Sequence, residues 1–175
     1  MTEPATAPLT LAAVLDHCLR SVVAGSASVP AGTRPHFGEP GMELRTWVAT
    51  EAGDALLLFR PTAANVTGCE LWGGDFSDPD ARFSISWRDR GTELLAWIDA
   101  MAARPEAIDL RGHPDYEAVF LCDGPGRDPI ALGASSFRPE DEMQEEPPRL
   151  PPDGGILASI NRWPGLTCDG LRGAL

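Results

Sequence analysis

Apolar residues recur along this chain with two periods, and the switches between them mark out its elements. From Arg82 to Arg88, Phe83, Ile85 and Trp87 alternate with Arg82, Ser84, Ser86 and Arg88. A period of two sends alternate side chains to opposite faces, so this segment predicts a strand with one buried face. From Thr92 to Arg104 the period lengthens. At ~100° per residue, Leu94, Ile98 and Met101 share one side, flanked by Trp97, Leu95 and Ala102, while Glu93, Asp99, Ala103 and Arg104 take the other. That is an amphipathic helix, expected to pack Leu94, Ile98 and Met101 on Phe83, Ile85 and Trp87. Tyr116 to Cys122 is apolar at nearly every position, as in a central strand covered on both faces. The run Asp123-Gly124-Pro125-Gly126-Arg127-Asp128 turns it toward a further strand, Pro129 to Ala134.

Upstream of this unit, residues 1–8 are a loose lead-in. Thr10 is placed to cap a helix running to about Ala24, with Gly25 as its stop. Leu11, Leu15, Cys18 and Val22 form its inner stripe, widened by Val14 and Leu19, and Asp16, His17 and Arg20 face outward. Ser26 to Gly41, rich in Pro and Gly, predicts irregular chain. Glu43 to Thr50 and Ala55 to Arg60 predict a hairpin about Glu51-Ala52-Gly53-Asp54. Pro61 to Asp80 is too long for a structureless loop, and a short strand is expected near Cys69 to Trp72, with Gly73 to Asp80 as its turn-rich exit.

Past the second helix and its strands, Arg138 to Asp153 changes character. Glu140, Asp141, Glu142, Glu145 and Glu146 are enclosed by Pro139, Pro147, Pro148, Pro151 and Pro152. So few apolar groups cannot offset the entropy of ordering, which predicts an exposed loop. Gly154 to Leu175 regains Ile156, Leu157, Ile160, Trp163 and Leu166, and is expected to pack back as a short helix or strand plus coil. No internal repeat is evident. The predicted fold is one α+β domain over residues 1–175: a mainly antiparallel sheet of about six strands, two amphipathic helices on one face and an irregular C-terminal tail.

Charge narrows the choice of partner. The chain carries a formal net charge of −12, and all of its basic residues are Arg. Absence of Lys is what high-GC coding produces together with abundant Ala, Gly and Pro. Acidity of this size is repelled by phosphate backbones and anionic membranes, so neither nucleic acid nor membrane is an expected partner. Met1 to Pro8 lacks the charge and apolar run of a signal peptide, and no apolar run reaches the ~20 residues of a membrane helix. Cys18, Cys69, Cys122 and Cys168 never form Cys-x-x-Cys, and Cys18 and Cys122 lie in apolar patterns. Those features predict reduced, packed thiols and a cytoplasmic protein.

Each candidate for chemistry has a simpler explanation. Asp75, Asp78 and Asp80 cluster, but a calcium loop begun at Asp75 or Asp78 lacks the required glycine and glutamate, and aspartates favour turns. His17, His36 and His113 lack helical zinc spacing, so a site would have to assemble in space from His113, Asp115 and a distant Cys or Asp. Gly133-Ala134-Ser135-Ser136-Phe137 lacks the second glycine of a nucleophile elbow. No phosphate-binding glycine motif occurs, and without Lys there is no P-loop lysine. No catalytic residue, metal or cofactor is therefore expected.

Three function classes follow. The favoured one is a non-catalytic cytoplasmic module that binds a basic protein partner as an inhibitor, immunity protein or chaperone. Such a protein would be similar in general architecture and acidity to small acidic bacterial proteins that bind one partner. Its candidate contacts are Glu140, Asp141, Glu142, Glu145 and Glu146 for steering, with Trp47 and Trp72 as aromatic anchors. The alternatives are an enzyme or small-ligand protein with a pocket between sheet and helices, and a structural subunit of a larger assembly. Nothing in the sequence fixes an oligomeric state.

Overall fold

The computed structural model describes residues 7–37, 42–51, 53–73, 91–137 and 155–175. Three expectations lie outside the described residues: the strand over Arg82 to Arg88, the aspartates at 75, 78 and 80, and the acidic loop Arg138 to Asp153.

The first helix forms where its pattern and caps place it. Helix α1 (Leu11–Ala24) begins at Thr10, whose Oγ1 accepts a hydrogen bond from the Ala13 N–H at 3.2 Å. It ends at Gly25, which takes the left-handed conformation (φ 73°) and returns its N–H to the Ser21 carbonyl. A side chain would be strained there, so glycine makes the stop. All six residues of the expected inner stripe are buried. Helix α2 (Gly91–Ala102) buries Leu94, Trp97, Ile98 and Met101 and leaves Leu95 exposed. Asp16, expected to face solvent, is partly covered because its carboxylate accepts the Trp97 indole N–H at 3.0 Å, tying the two helices together.

Both helices lie on one antiparallel sheet. Its strands are β1 (Arg34–Phe37), β2 (Leu44–Thr50), β3 (Gly53–Thr62), β4 (Asn65–Gly73), β5 (Ala107–Asp109), β6 (Val119–Leu121), β7 (Ile130–Phe137) and β8 (Gly155–Arg162). Among the described residues their order is β1-β2-β3-β4-β8-β7-β6-β5, antiparallel at every junction. The described residues thus run twice through one plan, a helix followed by a four-strand meander, and the two meanders join edge to edge at β4 and β8. The α+β class is as expected, with more strands than the sequence indicated.

Three differences have physical causes. Ser26 to Gly41 is not wholly irregular: Arg34–Phe37 forms the edge strand β1, with a register shift between Pro35 and Phe37. Proline lacks a ladder donor and is tolerated at a sheet edge or bulge, which is where Pro35 sits. The expected short strand at Cys69 is the nine-residue β4. The tail also supplies more than a packed-back end, because β8 is an interior strand between β4 and β7.

The cysteines require the largest correction. They are not reduced thiols: Cys18 on α1 bonds to Cys69 on β4 (Cα–Cα 5.5 Å), and Cys122 bonds to Cys168 (6.1 Å). Apolar surroundings suit a buried half-cystine as well as a thiol, so the pattern could not separate them. Linking residues 51 and 46 positions apart stabilises by about 4 kcal/mol each in the chain-entropy account.

Strand alternation builds two cores. Toward α1 and α2 point Val48, Leu57, Phe59, Cys69, Leu71, Val119, Leu121, Ile130, Leu132, Ala158 and Ile160, forming one cluster with the helix stripes. On the other face Ile108, Phe120 and Ala131 meet Leu110 and Leu171, the latter from the short helix α3 (Cys168–Arg172). No helix among the described residues is long and apolar enough to cross a membrane.

Two measurements test this arrangement. Ile98→Ala, in the middle of the buried stripe, should lower unfolding free energy by about 2–5 kcal/mol; a change under about 0.5 kcal/mol would place that face in solvent. Thiol titration of the unreduced, denatured chain should find no free thiol, whereas four titratable thiols would contradict both disulfides.

Candidate functional site

The face turned away from α1 and α2 brings together both tryptophans picked out from the sequence. Cross-strand partners run Trp47↔Leu56↔Trp72↔Leu157 over β2, β3, β4 and β8. This row is unbroken because β2, β3, β4 and β8 pair antiparallel without a register shift over it, so one strand's face residue sits opposite the next. Trp47 is 8% exposed, and Leu56, Trp72 and Leu157 are half-buried. The neighbouring row is Arg45↔Leu58↔Glu70↔Ser159.

Ion pairs border these rows. Arg34 meets Asp54 at 2.8 Å, Arg45 pairs with Glu43, and Arg60 meets Glu70 at 2.7 Å. Glu70 also accepts the Trp72 indole N–H at 2.9 Å, which fixes that ring's polar edge. The surface lies tight against the sheet at Gly68 and Gly133, whose partners are Asn161 and Ser159. A Cβ on Gly133 would come within 2.7 Å of the Ser159 hydroxyl, and one on Gly68 would strike the Asn161 amide oxygen. At both positions the cross-strand polar side chain occupies the space a Cβ would take, so a larger residue there requires Asn161 or Ser159 to turn aside.

A second region lies at the other end of the molecule, around the loop after β6. Asp123 is its hub. Arg162, at the end of β8, gives the Asp123 carboxylate two hydrogen bonds, at 3.0 and 2.6 Å, and Arg127 approaches it at 3.0 Å. Both guanidinium groups also reach the C-terminal end of α1, Arg127 donating to the Val23 carbonyl at 2.7 Å and Arg162 to that of Val22 at 3.4 Å. Carbonyls in the last helical turn lack intrahelical donors and carry the negative end of the dipole, so cations belong there. Burial opposes the charged form of Asp123, but the Arg162 hydrogen bonds and the charges of Arg162 and Arg127 outweigh it, holding the carboxyl below its ordinary range.

Beside this hub opens a cleft of about 630 Å³, lined by the Cys122–Cys168 disulfide, Gly124, Arg127, Thr167 and Arg172. A second recess of about 520 Å³ lies on the other side of Asp123, against Leu19, Val23 and Leu121. The larger cleft lies between the loop after β6 and the C-terminal segment, and of the two only the second recess touches α1, at Leu19 and Val23.

The remaining candidates do not converge. His113 accepts the Asp115 backbone N–H at 3.2 Å through Nδ1 and stacks near Tyr116. Among the described residues no three His, Cys, Asp or Glu side chains are arranged to hold a metal. His17 stands 3.5 Å from the Ser28 hydroxyl and is held below its ordinary value by burial, then by the Arg20 charge. Glu140, Asp141, Glu142, Glu145 and Glu146 lie outside the described residues. Sequence reasoning read the Asp123 loop only as a turn; its Asp and Arg were visible, but Arg162 and Cys168 lie far along the chain. No family model, curated protein or solved structure matches this chain.

The hub sets a pH dependence. A carboxyl lowered in the folded state contributes stability above its unfolded value, and that contribution is lost as pH falls through the folded value. Asp123→Asn should cost about 1.5–3 kcal/mol near neutral pH. The wild-type advantage should shrink on acidification below the ordinary aspartate range. Parallel stability–pH curves for the two proteins would remove Asp123 from this role.

Proposed function

We propose that this protein is a non-catalytic protein-binding module that recognises its partner with the sheet face opposite α1 and α2. The observation that carries the reading is the half-buried apolar row Leu56, Trp72 and Leu157, backed by the buried Trp47 and bordered by three ion pairs. An aromatic centre with a polar rim is the usual anatomy of a recognition surface, where a few aromatic anchors carry most of the energy. A net charge of −12 favours a basic partner, since complementary charge steers encounter. Glu140 to Glu146 belong to the proposal as a steering element, acting on association rate and salt sensitivity. An inhibitor, an immunity protein or a chaperone would each use such a surface.

The compartment is part of the proposal. The cytoplasmic reading rested on reduced thiols together with the lack of a signal-peptide pattern and of a membrane-length apolar run. Two disulfides fit an oxidising compartment better, because cytosolic thiols are kept reduced.

The test compares immobilised wild-type protein with two variants, after checking that all three melt alike. Trp72→Ala combined with Leu157→Asp alters the recognition face, and Leu95→Asp alters the exposed side of α2. A protein retained from extract of the source cell by wild type and by Leu95→Asp, but at least about 30-fold more weakly by the face variant, is the expected result. Retention by all three alike would overturn the reading.

A further inference from the structure

The two disulfides occupy opposite environments. Cys18 and Cys69 are fully buried between α1 and β4, inside the larger core. Cys122 and Cys168 are half-buried and line the 630 Å³ cleft, which is open to solvent. Thiol–disulfide exchange requires a thiolate to reach a disulfide sulfur, so access separates the pairs.

The chain beyond β8 is held in a way that makes this difference consequential. Trp163 donates its N–H to the Pro129 carbonyl at 2.9 Å. Among the described residues, the hydrogen bonds of residues 164–175 stay within 163–175: Leu166 to Trp163, Gly170 and Leu171 to Thr167, Gly173 to Asp169, Ala174 to Leu171, Leu175 to Arg172, and the Arg172–Asp169 pair. Among the described residues, the segment is fastened to the sheet by apolar contact from Leu166, Leu171 and Ala174, and by the bond from Cys168 to Cys122. Helix α3 has five residues, far too few to persist without an anchor. Under it lie Ile108, Leu110 and Phe120, all buried, and the exposed Trp163 ring stands 6.0 Å from Phe120.

We propose that Cys122–Cys168 is a thiol-reducible latch, whose opening by a dithiol frees residues 163–175 and uncovers the apolar patch around Phe120. One thiolate of the dithiol attacks a sulfur of the pair, breaking the Cys122–Cys168 bond and forming a mixed disulfide. The second thiolate resolves it. Two electrons and two protons pass to Cys122 and Cys168, which leave as thiols, and the dithiol becomes a disulfide. Cys18–Cys69 is untouched and keeps α1 on the sheet. The observations behind this device do not draw on the proposed recognition role, although the patch it uncovers lies on the same side of the sheet.

The experiment uses the full oxidised chain under native conditions with dithiothreitol as the dithiol. Samples are quenched by alkylation over time, and each cysteine is located by peptide mass spectrometry. Parallel samples are read by hydrogen exchange. Cys122 and Cys168 should be alkylated more than about tenfold faster than Cys18 and Cys69, because the buried pair waits for a larger opening. Over the same period exchange should accelerate in 163–175 and at Ile108 to Phe120, while α1 stays protected. Reduction of both pairs at one rate, or of the buried pair first, would overturn the latch. So would selective reduction of Cys122–Cys168 with unchanged exchange in 163–175. Cys122→Ser with Cys168→Ser, if folded, should show the fast-exchanging tail without reductant, and a wild-type pattern would overturn the proposal. If that variant does not fold, the wild-type time course decides alone.

Discussion

β8 pairs with β4 from Trp72↔Leu157 to Gly68↔Asn161, and with β7 from Phe137↔Gly155 to Ile130↔Arg162. Over 157–161 its backbone is therefore bonded on both sides, and through it the two meanders become one sheet. Neither meander alone could cover α1 and α2, because the helix-facing cluster draws Cys69 and Leu71 from one and Ala158, Ile160, Ile130 and Leu132 from the other. The cost is a long-range closure, since the last strand must reach the middle of the sheet. At Gly68 and Gly133 the space beside the backbone is filled by the Asn161 and Ser159 side chains opposite them.

Arg162 extends the same constraint beyond the ladder. It lies on the helix-facing side at the end of β8, where its planar fork meets both oxygens of Asp123 and reaches the end of α1. A lysine could make one strong contact there, whereas the guanidinium makes several at fixed angles. With side chains 12% and 13% exposed, the pair is dry enough for geometry to matter and is closed further by Arg127. Strand, loop and helix end are thereby set relative to one another by one carboxylate. The other ion pairs, such as Arg34–Asp54 and Arg172–Asp169, are more exposed and contribute little beyond local order.

Local physics made half of this legible from the sequence. Helix α1 announced itself through Thr10, Gly25 and a stripe at helical spacing, and the β2–β3 hairpin through apolar runs about a short turn. Such signals concern residues close in sequence. β8 was harder because its apolar residues run consecutively from Ile156 through Leu157 to Ala158, which blurs a period of two. β1 was hidden by its proline. The disulfides were illegible for a stronger reason: four cysteines allow three pairings or none, and burial alone looks the same for a thiol and a half-cystine. Trp47 and Trp72 could be named as candidates, but their common row depends on β2, β3 and β4 registering through Leu56.

The two faces of the sheet divide the work unevenly. The helix-facing side is sealed by α1, α2 and Cys18–Cys69, and nothing in its packing needs to move. The opposite face is shared between the row Trp47, Leu56, Trp72 and Leu157 and the patch of Ile108, Phe120 and Ala131 capped by the C-terminal segment. Both belong to the same side of one continuous ladder, with Ser159 and Gly133 between them. A latch at Cys122–Cys168 would thus change the surface on which recognition is proposed without disturbing the core beneath it. That separation follows from topology: the strand that unites the sheet also leads directly into the segment that covers its far end, so the cover can lift while the strand stays paired.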